Sequence, residues 1–177
     1  MLSKKAIWEN YNALMLDKGL DCIEPMKEEG IIELGGLVAA HDITGFDYEG
    51  ILWKNDGRTP EFSRFNIDSV NSVARILATI DNLFGQSPAS YTKWRSSYGL
   101  KHDMEFIRHH HGYENPYVSN GEFMAGYLYY MSSVMGMDPS SIRSRIRPEL
   151  IGGLNLFMKV SPAYQAIVDI ARDRGFK

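Results

Sequence analysis

Apolar positions recur at helical spacing over several stretches of the chain. In residues 4–18, Ile7, Tyr11, Leu14 and Met15 stand at i, i+4, i+7 and i+8, on one face of a helix that Gly19 is placed to stop. Over 67–84, Val70, Val73, Ala74, Leu77, Ile80 and Phe84 form a second stripe, closed by Gly85. Leu100, Met104 and Ile107 give a third inward stripe ahead of Gly112. From 119 to 136, Phe123, Tyr127, Leu128, Tyr130, Met131, Val134 and Met135 cover well over a third of a helix circumference. Ala125, Gly126, Ser132 and Ser133 remain on its other side, where small residues admit a second helix at close range. This segment is predicted to be the centre of the fold.

Punctuation sharpens the pattern. Ser87-Pro88, Asp138-Pro139 and Ser161-Pro162 each place a capping residue before a proline at the first helical position, marking helix starts. Ser119, followed by Asn120, Gly121 and Glu122, fits a capping box. Gly136 and Gly175 stand where helices should stop. Between 20 and 66, glycines interrupt short apolar runs and Asn55-Asp56-Gly57 signals a turn, which predicts irregular structure or a short β-hairpin. The expected fold is mainly α: one domain over 1–177, a bundle of five or six helices, with the irregular or hairpin segment near 20–66.

Composition fits that class. The 177 residues are 44% hydrophobic, enough for a core that buries roughly 70% of the unfolded chain's surface without a disulfide or structural metal. Cys22 is a lone cysteine, no apolar run nears the ~20 residues of a membrane span, and MLSKKAIWEN lacks a signal-peptide core. A cytoplasmic protein with no membrane association and no cofactor is expected. The net charge of −3 divides unevenly: residues 1–90 hold 8 Lys and Arg against 14 Asp and Glu, and residues 91–177 hold 11 against 8. The second half is therefore the mildly basic one.

Candidate chemistry concentrates there. Lys93, Arg95, Lys101 and Arg108 interleave with Tyr91, Trp94 and Tyr98, a mixture suited to nucleic-acid backbone and bases. Arg143, Arg145 and Arg147 alternate, and would form a ridge if extended. On a helix, His102, Glu105 and His109 fall within about 60° of one another, and two imidazoles with a carboxylate are ligand types for zinc or non-haem iron. His102 and His109 are nevertheless two turns, about 10 Å, apart, and a solvated face is the simpler expectation. The triple His109-His110-His111 near a helix end is accounted for by the C-terminal dipole. Phosphate-loop, dinucleotide, zinc-protease, serine-hydrolase and EF-hand signatures are absent. Cys22 with His41, and the His41-Asp42 pair, lack any third group to position them.

One line is more specific than the rest. SYGLKH at 97–102, Glu105, and YVSNGEF at 117–123 resemble a pattern in short proteins of phages and large DNA viruses, in which SYGLKH and a glutamate precede YVSNGxF and an apolar helix. The RHHHGYENP insert between the halves departs from that pattern. The resemblance implies a viral or mobile-element protein in the host cytoplasm. Physically, Leu100 and Phe123 should enter the core, Ser119, Asn120 and Glu122 belong to the capping turn, and Lys101, His102 and Glu105 should bond to the YVSNG turn at 117–121 and fix two helices. The function expected is non-catalytic binding of a macromolecular partner, whether host protein, viral protein or nucleic acid. The binding residues expected are Lys93, Trp94, Arg95, Lys101, His102, Arg108, Arg143, Arg145 and Arg147. Alternatives are a metal-dependent enzyme using His102, Glu105 and His109, and a self-assembling homo-oligomer built on the Tyr/Met-rich helix.

Overall fold

A carboxylate at the start of one helix organises the molecule. In the computed structural model, which describes residues 2–16, 26–40 and 42–174, helix α5 (Asn120–Tyr129) begins with the predicted capping box. Ser119 Oγ accepts from the Glu122 amide at 3.0 Å, and Glu122 Oε2 accepts from the Ser119 amide at 2.7 Å. The other oxygen of Glu122 accepts from the Asn66 amide at 2.7 Å. Asn66 in turn caps α3 (Ile67–Phe84), its Oδ1 accepting from the amides of Asp68 and Ser69. One buried carboxylate thus joins the N-termini of the two central helices, where helix dipoles favour negative charge.

Helices α3 and α5 then make the most extensive helix contact of the fold. It is close because Gly126 lies in it: a Cβ there would stand 2.6 Å from Val73 Cβ and 2.8 Å from the Val70 carbonyl. Around this pair pack α1 (Lys4–Leu16), α4 (Ser97–His111) and α7 (Pro162–Arg174), with α2 (Glu28–Val38) on α5 and the short α6 (Pro139–Arg143) against α2. The five-residue segment Tyr130–Val134 continues α5 as a π turn, Met135 N donating to Tyr130 O at 2.9 Å. One contiguous apolar core runs from Trp8 to Ala171 and includes Tyr11, Leu100, Met104, Phe123, Tyr127 and Tyr164.

Two small antiparallel sheets complete the fold. Strands β1 (Ile43–Phe46) and β2 (Ile51–Trp53) form a hairpin. Buried Asp47 shapes its turn by accepting from the amides of Glu49, Gly50 and Glu61 and from Arg58 at 2.6 Å. The second sheet has the order β3 (Lys93–Ser96), β5 (Leu156–Val160), β4 (Ile146–Pro148).

The mainly α expectation agrees with the structure, and the helices at 67–84 and 119–129, with the left-handed stops at Gly85 and Gly112, lie where the pattern places them. The hairpin near 20–66 is also present. Seven α-helices stand among the described residues, however, against the five or six expected. Helix α2 was missed because Gly30, Gly35 and Gly36 read as turns; Gly35 instead lets the helix lie against the β1 backbone, its Cβ position 3.5 Å from Gly45 Cα. Asn55-Asp56-Gly57 follows β2 instead of joining the hairpin strands. Ser87-Pro88 starts only a 3-10 turn, Pro88–Ser90, before a strand. Asp138 and Ser161 do cap helices, accepting from the Ser141 and Tyr164 amides. Val134, expected in the core, is 40% exposed because the π turn rotates it outward. Gly19, Cys22, His41 and Gly175 fall outside the described residues.

Two substitutions test this frame by urea denaturation. Gly126→Ala should cost about 1–3 kcal/mol by overpacking, whereas Ala at exposed Gly36, with nothing within 4 Å of its Cβ position, should be neutral or stabilising. Glu122→Gln should cost about 2–4 kcal/mol, because an amide nitrogen would face one of two buried N–H donors.

Candidate nucleic-acid interface

The second sheet presents one face to the core and the other to solvent. Pairing sets Trp94 opposite Lys159, and Ser96 and Arg147 opposite Phe157. Directly paired residues share a face, so Trp94, Ser96, Arg147, Phe157 and Lys159 lie together on the outer side. Leu156, Met158 and Val160 alternate inward and are buried. On the outer side the Arg147 guanidinium carbon stands 4.5 Å from the Trp94 ring centre and 5.4 Å from that of Phe157. The Lys159 ammonium is 5.0 Å from the Trp94 ring.

Each such contact is worth roughly 0.5–1 kcal/mol at an exposed site. Stacking occupies the faces of the groups and leaves their N–H donors outward. Neither Arg147 nor Lys159 has a side-chain hydrogen-bond acceptor among the described residues. The acid at this face is Glu149, which accepts from Ser96 Oγ at 2.9 Å. Beside it, the β4–β5 loop exposes Leu150 and Ile151, the latter at 96%.

The expected binding residues divide sharply. Trp94 and Arg147 meet on the open face. Lys93 pairs with Val160 and so belongs to the opposite side of the sheet. Arg95 also points inward, donating to Asp103 Oδ2 at 2.6 Å and to Gln165, while Arg172 holds the other oxygen of Asp103. Arg108 is buried, its Nη1 donating to the carbonyl of Tyr117 at 2.7 Å and to that of Pro116 at 3.3 Å, and burial pulls its pKa down. Arg95 and Arg108 are therefore structural cations, unavailable to a partner. The ridge that an extended run would give does not form, because the chain changes conformation within it. Arg143 ends α6 and donates to the Gly36 carbonyl, Arg145 sits in the turn and donates to the Ser141 carbonyl, and only Arg147 is on a strand.

Phe157 and Lys159 complete the face and escaped the sequence reading. Their signal was the alternation in LFMKV, which has the period of a half-buried strand. Pro148 is tolerated beside Arg147 because β4 is an edge strand.

The SYGLKH and YVSNGEF segments do meet. Glu105 Oε1 accepts from the Val118 amide at 3.2 Å and from buried Lys101 at 3.1 Å, and its Oε2 faces His102 Nδ1 at 2.8 Å. The Lys101 ammonium also lies 5.0 Å from the Tyr117 ring centre. Leu100 and Phe123 are fully buried, and Asn120 Nδ2 donates to the Glu49 and Leu154 carbonyls and to Asn155. Glu105 thus does fix α4 to the turn that starts α5.

The metal set His102, Glu105 and His109 is not brought together. Glu105 is spent on Lys101, His102 and Val118, and His109 is exposed beside the His110 ring at 5.1 Å. Among the described residues no group of three His, Cys, Asp or Glu is arranged to hold a metal ion. The histidine run does not behave as one solvated cluster either. His111 is half-buried, with Nδ1 2.9 Å from Asn12 Oδ1 and its ring edge-on to Tyr11.

No family model, curated protein or solved structure matches the chain. No helix among the described residues is long and apolar enough to cross a membrane.

Burial lowers the His111 pKa below the ordinary 6.5. The folded state therefore resists a proton that the unfolded chain accepts, and stability is lost as pH falls from about 6.5 through the folded value. His111→Gln, which retains a donor for Asn12, should reduce the loss of denaturation midpoint between about pH 7 and pH 5. An unchanged pH profile would contradict this.

Proposed function

We propose that the chain is a small non-catalytic protein, of viral or mobile-element origin by its SYGLKH and YVSNGEF resemblance, that binds single-stranded nucleic acid across the outer face of the β3-β5-β4 sheet. The observation that carries the reading is the Trp94 ring flanked by Arg147 and Lys159, with Phe157 beside it. An open antiparallel sheet that groups aromatic rings with cations offers both residue types that sequence-tolerant strand binding uses. The overall charge of −3 does not oppose it, since a local pair of cations, not the net charge, meets the backbone. Exposed Leu150 and Ile151 favour a second reading, in which a further copy of the chain covers this face.

Fluorescence polarisation with a labelled oligothymidine of about 20 nucleotides tests the proposal. Affinity should fall steeply with salt, and Arg147→Ala and Lys159→Ala should each reduce the salt slope by about one. Trp94→Ala should weaken binding about tenfold through lost stacking. Absence of binding at low salt overturns the reading, and concentration-dependent light scattering abolished by Ile151→Asp favours self-association instead.

A further inference from the structure

The junction of SYGLKH and YVSNGEF does more than join helices, because it forms one wall of an open cleft of about 660 Å³. That volume is within the roughly 300–1,000 Å³ of small-molecule sites. Its lining includes Tyr48 from the β1–β2 turn, Tyr98 and Lys101 from α4, Tyr117 and Asn120 from the α5 start, and Asn155 from the β4–β5 loop. Four separate segments therefore converge on it, on residues that neither the sheet face nor a catalytic motif accounts for.

Two features say what would fit. Tyr98 and Tyr117 are half exposed, at 52% and 50%, although both are aromatic and both border the cleft. Such rings offer stacking surfaces to a planar group. Between them sits the Lys101 ammonium, 5.4 and 5.0 Å from the two ring centres, with Glu105 as its one oxygen partner among the described residues. An ammonium has three N–H donors, so donors remain for an acceptor on a ligand.

Asn120, only 7% exposed, is held in place by its Nδ2 facing three acceptors, and so gives the cleft a fixed border.

Charge then selects among planar ligands. Lys101 is paired with Glu105, and Glu49 at the rim is paired with Arg64 at 3.2 Å. The cleft holds no surplus positive charge to receive a phosphate. Nor does it suit a cation, because Lys101 already occupies the space between two of its tyrosines. Tyr48 stays a neutral hydroxyl, its pKa pushed up to about 12 by burial and a hydrogen bond with Tyr117.

We propose that this cleft binds a neutral planar heterocycle of the nucleobase class, as a free nucleoside. The ring stacks on Tyr98 or Tyr117, and a ring carbonyl accepts from Lys101. The site is separate from the sheet face and does not depend on nucleic-acid binding there.

Titration calorimetry of the full chain with uridine, guanosine, adenosine and ribose tests it. At least one nucleoside should bind while ribose does not, and the corresponding 5′-monophosphate should bind no tighter. Tyr98→Ala, at an exposed helix position, should weaken that binding at least tenfold without lowering the melting temperature. Lys101→Met should weaken it further for carbonyl-bearing bases, and Trp94→Ala should leave it unchanged. The proposal is overturned if no nucleoside binds at millimolar concentration, if ribose binds equally, if Tyr98→Ala has no effect, or if Trp94→Ala abolishes binding. The last result would place the base on the sheet face instead.

Discussion

The fold depends on where the Glu122 carboxylate goes. Both its oxygens are buried and both accept from backbone amides, one at the cap of α5 and one at the cap of α3. Hydrogen bonds to a charged acceptor are worth more than neutral ones, and these two are made where the positive ends of two helices converge. The crossing of α3 and α5 is set by this contact and by the absence of a side chain at Gly126. The hairpin follows, because the Gly121 amide donates to the Tyr48 carbonyl at 3.0 Å and a Cβ at Gly121 would lie 1.9 Å from the Asp47 carbonyl oxygen. Even the cleft inherits its shape from this end of α5.

A second constraint is the disposal of cations. Several basic residues of the second half are consumed internally: Arg95 and Arg172 neutralise Asp103, Arg108 satisfies carbonyls of the turn before α5, and Lys101 pairs with Glu105. Buried cations without such acceptors would be costly. What remains outward is a small set, and Arg147 and Lys159 gain weight from standing beside the same indole. The mild basicity of residues 91–177 therefore says less about a partner than the geometry of two residues within it.

Much of the helical frame was legible because it rests on local rules. A capping box needs only Ser119 and Glu122 three apart, and the stripe from Val70 to Ile80 needs only the helical period. The strands were harder. KWRS and IRP are too short to display a period of two. Glycines misled at α2, where Gly35 serves close packing against Gly45, a contact between segments that no local pattern announces. The same holds for the candidate site: Trp94 and Arg147 were named for their chemistry, but Phe157 and Lys159 join them only through strand pairing.

By itself the sequence determined the main helices, their caps and the core faces of Leu100 and Phe123, all of which follow from spacing along one chain. Tertiary structure alone decided which arginines are buried and which side of a sheet each basic residue takes. It also decided that three tyrosines and Asn120 surround one cleft. The physical reason is common to these cases: burial, strand register and the meeting of distant turns are set by packing between segments, and packing has no period that a linear sequence can show.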